Sequence, residues 1–216
     1  MSGLSFSIRK AWGGDVPAMV QCHREAFPGQ FMTLIGDGFL SCHYEYYCAR
    51  PEAICLVAET FGEVVGFVVG GPPHLRSAFI YTWAPLFAKD VLHRAAGDGR
   101  VRRRLLLHLK FAMSAAGRHL LRMPPKDSLS MGDQPGTWVT LLSICVRPAF
   151  GGNGIGRALI RRFESEAAHR GFEVVHLSVR KGNEPAIRLY QSEGWEATLV
   201  GSDGIYFRKL LRGHKV

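Results

Sequence analysis

The chain has 216 residues, 47% of them hydrophobic and 21% charged, and carries a formal net charge of +9. This composition fits a globular domain with a proper core and excludes disordered and fibrous classes. No run approaches the roughly 18 uninterrupted apolar residues of a membrane span, and residues 1–12 lack a signal peptide's apolar run, so a cytoplasmic location is expected.

Residues 5–11 alternate apolar and polar with period two and predict a strand. Asp15 is a good helix N-cap, with Pro17 in the first turn of a helix running to about Ala26. Residues 27–38 carry three glycines and a proline and read as loop. A second helix is predicted over 39–49. Strands follow at 54–59 and 64–70, joined by a hairpin at Phe61-Gly62. A tract of about 72–136 then interrupts the strand series. Its centre, about 101–121, has a helical pattern rich in Leu, Ala and Arg, closed by Pro124-Pro125. Alternation resumes with a strand over Trp138–Val146, a helix over 153–169 stopped by Gly171, and a strand over 174–179. A short helix over 184–193 has Asn183 as N-cap and Gly194 as its stop. Strands at 195–200 and 205–210 form a terminal hairpin around Ser202-Asp203-Gly204. The order β-α-α-β-β, insert, β-α-β-α-β-β predicts an α/β fold: a mixed sheet with helices on both faces. One domain over residues 1–216 is expected, because the insert interrupts a single series of strands.

The charge is concentrated. Residues 76–126 hold eleven Lys/Arg and two Asp, a net of +9, so the rest of the chain is neutral overall. The tract around Arg100-Val-Arg-Arg-Arg104 could be a solvated basic helix, contact an anionic membrane surface, or bind the phosphates of a nucleotide sugar. No nucleic-acid partner is expected, since neither a known motif nor regular aromatic interleaving is present. The five cysteines (Cys22, Cys42, Cys48, Cys55 and Cys145) are odd in number and show no C-x-x-C spacing. They predict free thiols, with no structural zinc and no metal site.

The segment Cys145-Val-Arg-Pro-Ala-Phe-Gly-Gly-Asn-Gly-Ile-Gly-Arg157 ends a strand, turns on glycines and opens a helix. Backbone N–H groups converge at the positive end of a helix dipole, an arrangement that binds phosphate. A dinucleotide fingerprint fails, because Leu159 stands where its third glycine belongs. The phosphate loop of nucleotide hydrolases nearly fits at 151–156, but Arg157 and Ala158 replace its Lys and Ser/Thr. A purely structural turn stays open on these residues alone.

The segment resembles the acyl-CoA loop of the GCN5-related N-acetyltransferase (GNAT) superfamily, with Val146-Arg147-Pro148 followed by Gly154-Ile155-Gly156. The resemblance continues in Asn183-Glu-Pro-Ala-Ile-Arg-Leu-Tyr-Gln-Ser-Glu-Gly-Trp195, with Trp195 for the usual Phe. It is good over about 138–210 and weaker over 5–71. One departure is Gly151, which stands at the family's Gln/Arg position.

The resemblance implies a mostly antiparallel twisted sheet whose strands 138–146 and 174–179 splay apart at their C-terminal ends. Acetyl-CoA would lie there as co-substrate, its pantetheine along the main chain near Ile144 and Val146. Its pyrophosphate would sit on the amides of Gly151, Gly152, Asn153, Gly154, Ile155, Gly156 and Arg157. Asn183 would bond the cofactor or its water network, and Tyr190 would protonate the leaving thiolate. Implied activity is transfer of an acetyl group to a primary amine of a small molecule by direct attack in a ternary complex.

No general base is evident. Residues 137–146 contain no Asp or Glu, only Thr140 and Ser143 as polar side chains near the loop. Glu45, His43 and His74 are candidates from elsewhere, as is a water chain. Residues 27–40 resemble a stretch in relatives encoded with glycan-biosynthesis enzymes, which makes an amino-sugar a candidate acceptor. His43, Tyr44, Tyr46 and Tyr47 could bracket such a sugar or belong to a partly buried helix. A non-catalytic acyl-CoA-binding or membrane-docking regulatory module is the alternative, favoured by Gly151 and the missing acid and opposed by Tyr190.

Overall fold

The computed structural model describes residues 4–97, 99, 102, 103, 106, 137–201 and 204–211. Its strands are β1 (Ser7–Lys10), β2 (Ile54–Thr60), β3 (Glu63–Gly71), β4 (Trp138–Val146), β5 (Val174–Arg180), β6 (Glu196–Val200) and β7 (Gly204–Leu210). Its helices are α1 (Val16–Ala26), α2 (Phe31–Ile35), α3 (Asp37–Cys48), α4 (Pro73–Gly97), α5 (Ile155–His169) and α6 (Glu184–Ser192). All seven strands lie in one sheet of order β1-β2-β3-β4-β5-β7-β6. Neighbours pair antiparallel except β4 and β5, which pair parallel across the α5 crossover. The expected mixed, mostly antiparallel α/β architecture is therefore present.

β2 shows why the sheet sits where it does. Its apolar residues alternate between two cores: Ile54, Leu56 and Ala58 face α5, while Cys55 and Val57 face α1 and α3. A strand covered on both faces reads as a continuous apolar run. The β2–β3 turn uses Phe61 (φ 50°) and Gly62 (φ 79°), the left-handed pair that matches the twist of a two-residue hairpin.

Three local readings change. Residues 27–38 are not all loop: Phe31–Ile35 form α2, and Gly36 at φ 118° separates it from α3. Asp15 does stand at the start of α1, but its carboxylate does not cap the helix. It accepts from the Arg9 guanidinium at 2.7 and 2.8 Å and from the Trp12 amide at 3.0 Å. Burial pushes its pKa up, yet these hydrogen bonds hold it below the ordinary value. Finally, the tract after β3 opens with α4, whose Phe79 packs edge-on against Phe39, Tyr46 and His43 of α3. The predicted helix centre at 101–121 falls, apart from residues 102, 103 and 106, outside the described residues, as does the Ser202-Asp203 turn. Among the described residues no helix is long and apolar enough to cross a membrane.

Candidate functional site

β4 and β5 hold together only at their beginnings. Their register covers Trp138↔Val174, Val139↔Val175 and Thr140↔His176. Beyond that point β4 continues along β3 as far as Val146, and β5 continues along β7 as far as Arg180. The facing edges of 141–146 and 177–180 are thus unpaired with each other, and a gap opens inside the sheet.

Strand geometry says which groups line it. The Arg147 amide donates to the Val65 carbonyl at 2.8 Å, so Arg147 and Cys145 turn their backbone groups toward β3. Main-chain direction alternates along a strand, so Val146 and Ile144 turn theirs into the gap. Unpaired edges of this kind accept an extended ligand as an added strand. A register shift at Val69/Gly70 places Leu142 as an extra residue on β4, a bulge that bends the strand where pairing with β5 stops.

The glycine loop closes one end of the gap. A 3-10 turn over Pro148–Phe150 leads to Gly152 (φ 78°) and Gly154 (φ 79°), both left-handed. Added Cβ atoms there would meet nothing within 4 Å, so conformation, not space, requires glycine. Asn153 folds its side-chain amide back onto the Phe150 and Gly151 carbonyls, both at 3.2 Å, and pins the turn. Gly154 is the N-cap of α5, whose first helical bond runs from the Ala158 amide to the Gly154 carbonyl. The amides of Ile155, Gly156 and Arg157 therefore precede the helical ladder and can serve a ligand. No acidic residue of α5 itself occupies that first turn.

Other expected site residues have additional partners. The Arg157 guanidinium pairs with Glu193 at 2.7 Å and reaches Ser192, and Arg161 pairs with the same carboxylate at 2.6 Å. Glu193 is 5% exposed, so this cluster straps α5 to the end of α6. The Arg161 hydrogen bond, with help from Arg157, holds the Glu193 pKa below its ordinary value. Asn183 caps α6, its side-chain oxygen accepting from the Ala186 amide at 3.3 Å. Tyr190 lies in the core on the α5 side, its ring against Trp195 and Phe207. Burial raises its phenol to a pKa of about 12, so it is protonated throughout the physiological range.

On the opposite face, α1 and α3 bring a polar row to β4. His23 Nδ1 and the Tyr44 hydroxyl are 2.6 Å apart, and that hydroxyl lies 3.5 Å from Ser143 Oγ. The sequence marks Ser143 as a polar side chain on the strand but gives no sign of His23. Its partner is 21 residues away in the chain, a distance at which no local signal operates. Nearby, the Arg147 guanidinium donates to Glu25 at 2.9 Å and packs over the Phe150 ring.

The base candidates do not gather at the gap. Glu45 and His74 are exposed surface residues. His43 is enclosed by Phe39, Tyr44, Tyr47 and Phe79, and burial drives its pKa down to about 3. Tyr44, Tyr46 and Tyr47 are core residues, which corrects the idea that they bracket a sugar.

Residues 114–195 match the Acetyltransferase (GNAT) family. The chain carries the GNAT fold, and this stretch is where its sequence is similar to that family. Among curated proteins it is 43% identical over 61 residues to the ribosomal protein bS18-alanine N-acetyltransferase of Escherichia coli K12, covering 28% of this chain and 41% of the relative. It is 36% identical over 66 residues to the acetyltransferase ECA0875 of Pectobacterium atrosepticum, covering 31% and 47%. The matched stretch thus spans less than half the length of these curated relatives. The GNAT fold is seen over nearly the whole chain in solved structures. The E. coli ribosomal protein alanine N-acetyltransferase superposes with a TM-score of 0.57 at 15% identity, over 98% of this chain and 99% of its own. The PaiA N-acetyltransferase of Thermoplasma acidophilum, solved with coenzyme A, gives 0.59 at 12% identity over 96% and 99%.

Proposed function

We propose that this protein is an acetyl-CoA-dependent N-acetyltransferase that works as one unit over residues 1–216 and transfers acetyl to a primary amine in a ternary complex. The observation that carries this reading is the gap between β4 and β5, opening beside a glycine loop that delivers free amides at the start of α5. These features fit the two ends of a CoA thioester. A pantetheine arm can pair with main-chain groups of Ile144 and Val146, and a pyrophosphate can take the amides of Gly152 to Arg157; the Gly151 amide, expected from the sequence to join them, instead donates to the Pro148 carbonyl at 3.1 Å and closes the 3-10 turn. Arg157 adds charge at the rim, while Asn153 and Asn183 hold the loop and the α6 terminus in place.

Bound acetyl-CoA supplies an activated acyl carbon. The amine nitrogen attacks that carbon, the C–S bond breaks, and the nitrogen loses a proton to solvent. Tyr190, protonated at neutral pH, hydrogen-bonds the departing sulfur and passes it a proton, which the phenolate regains from solvent. Backbone amides at the β4 bulge and the dipole of α5 favour the negative charge that develops on the way.

The acceptor class divides between the alanine terminus named for the bS18 relatives and the small-molecule amine, such as an amino-sugar, suggested by residues 27–40. A thiol-release assay with acetyl-CoA against alanine-initiated peptides and amino-sugars decides between them. Coenzyme A binding without release by any amine would replace the enzyme with an acyl-CoA-binding module. Two further parts of the proposal are a cytoplasmic location, suited to five free cysteines, and membrane contact through the basic tract. The latter rests on exposed Ile80, Tyr81 and Leu92 of α4 beside the exposed Arg76 and His93. Absence of co-sedimentation with anionic vesicles would remove it.

A further inference from the structure

The row His23, Tyr44, Ser143 has a direction. His23 and Tyr44 are 4% and 0% exposed. Nε2 of His23 is buried with no partner, whereas Nδ1 meets the Tyr44 hydroxyl at 2.6 Å. A buried N–H without an acceptor costs more than a bare lone pair, so the imidazole proton sits on Nδ1. Burial lowers this imidazole's pKa to about 4, so the ring is neutral and Nδ1–H is its single donor. Nδ1–H therefore donates to the Tyr44 oxygen. The phenol proton must point elsewhere, and Ser143 Oγ at 3.5 Å is the group it faces. With Oγ accepting from Tyr44, the Ser143 hydroxyl proton is left to donate away from the row.

Ser143 stands on β4 three positions beyond Thr140, the last residue paired with β5. It also follows the bulged Leu142, whose extra residue re-aims the side chains after it. The row thus ends where the strand edge is open. A chain of hydrogen bonds polarises each member in the same sense, which makes its last hydroxyl a better donor.

We infer that the Ser143 hydroxyl donates a hydrogen bond to the acyl oxygen of the bound thioester, with Tyr44 and His23 as positioning residues that aim it. This rests on the acetyl-transfer reading above. The bond strengthens as the carbonyl carbon becomes tetrahedral and its oxygen gains charge, so it favours the transition state over the ground state. Amide donors of the strand are not displaced by it; a side-chain donor joins them. It also accounts for a serine on a strand that has no acid to serve as base.

The test uses the full chain and acetyl-CoA labelled with ¹³C at the carbonyl. In difference infrared spectra the bound wild-type carbonyl should absorb at lower frequency than free acetyl-CoA. Ser143→Ala should return the band toward the free position while acetyl-CoA affinity, by calorimetry, stays within about threefold. Ser143→Thr keeps a hydroxyl and should keep the shift. Tyr44→Phe, with its ring retained, should lose part of it, and Ser143→Ala combined with Tyr44→Phe should look like Ser143→Ala alone. With an amine that drives thiol release, kcat should fall about tenfold in Ser143→Ala, the loss expected for one hydrogen bond to a developing charge. Identical band positions in wild type and Ser143→Ala, with acetyl-CoA bound to both, would overturn the assignment of Ser143 and leave the transferase reading standing. Failure of the wild type to bind acetyl-CoA would overturn both.

Discussion

Tyr190→Phe separates catalysis from stability more cleanly than any other change at this site. The ring packs against Trp195 and Phe207 with centroid distances of 5.7 and 5.8 Å, and phenylalanine keeps both contacts. The side chain is nearly fully buried, and the hydroxyl makes no hydrogen bond to a described residue, so its loss leaves no protein partner stranded. Stability should change by less than about 0.5 kcal/mol, because the costly event, orphaning a buried polar partner, does not occur. Turnover is another matter. With a pKa of about 12 the phenol is a weaker acid than a free thiol, whose reference value is about 8.5. Full transfer even to the freed thiolate is therefore uphill, and is completed only as the phenolate regains a proton from solvent. The phenol must act as the bond breaks, and the benefit lies toward the lower end of the range for general acids, a loss of about a hundredfold in kcat on its removal. Acetyl-CoA affinity should be unchanged. The pH dependence follows from the same burial. A donor with a raised pKa is active below that value and lost above it, so no alkaline fall in kcat from Tyr190 should occur below about pH 11. Thiol release at saturating acetyl-CoA, followed from pH 6 to pH 10 in both proteins, measures this. Equal kcat in the variant and wild type would refute the role of Tyr190, and a wild-type alkaline limb near pH 9 that vanishes in the variant would refute the account of its burial.

Gly154→Ala should weaken coenzyme A binding and cost about 1–2 kcal/mol of stability: the added Cβ has room, but φ 79° is a left-handed conformation that alanine resists. Calorimetry and thermal melting check both effects, and Gly154→Asn should be milder. Glu193→Gln should flatten the acid limb of stability. The native carboxylate's pKa lies below its ordinary 4.5, so its contribution is full above that value and disappears as pH falls through the lowered one. Urea denaturation at pH 7 and at pH 3 should therefore differ less in the variant than in the wild type. Gly70→Ala should be the most damaging change, since a Cβ there would strike the Thr140 carbonyl oxygen and the Phe163 ring. A soluble variant with an unaltered melting temperature would show that β3 does not approach β4 and α5 as closely as described.

Much of the architecture was legible because its signals are local. Asn183 and Gly194 bracket α6, Gly171 at φ 83° follows α5, and the alternation of 138–146 marks β4. The glycine loop proposed for the cofactor was legible for the same reason: strand, glycines and helix are consecutive in the chain. α2 was not, because a five-residue helix between Gly29 and Gly36 is too short for a periodic pattern to stand out from its punctuation. Its stability comes from packing against α3 and α4, which composition does not show.

The row His23, Tyr44, Ser143 is hidden for a deeper reason. Tyr44 meets Ser143 across 99 residues, and His23 meets Tyr44 across 21. Each residue taken alone looks ordinary: a histidine late in a helix, a tyrosine on an aromatic face, a serine in a strand. Their arrangement arises only because the sheet sets β4 under α1 and α3, and because burial leaves His23 no hydrogen-bond partner but the phenol. The same burial decides against the sequence candidates. His43 is held neutral by its aromatic neighbours, while Glu45 and His74 remain on the surface. A strand without an acid therefore need not be a defective one. If the hydroxyl of Ser143 stabilises charge on the acyl oxygen, the incoming amine needs only to arrive unprotonated, and solvent at the mouth of the gap can take its proton. Activity should then rise with pH along the acceptor amine's own titration, shifting when the acceptor is exchanged for one of different basicity, whereas an enzyme base would hold the profile in place.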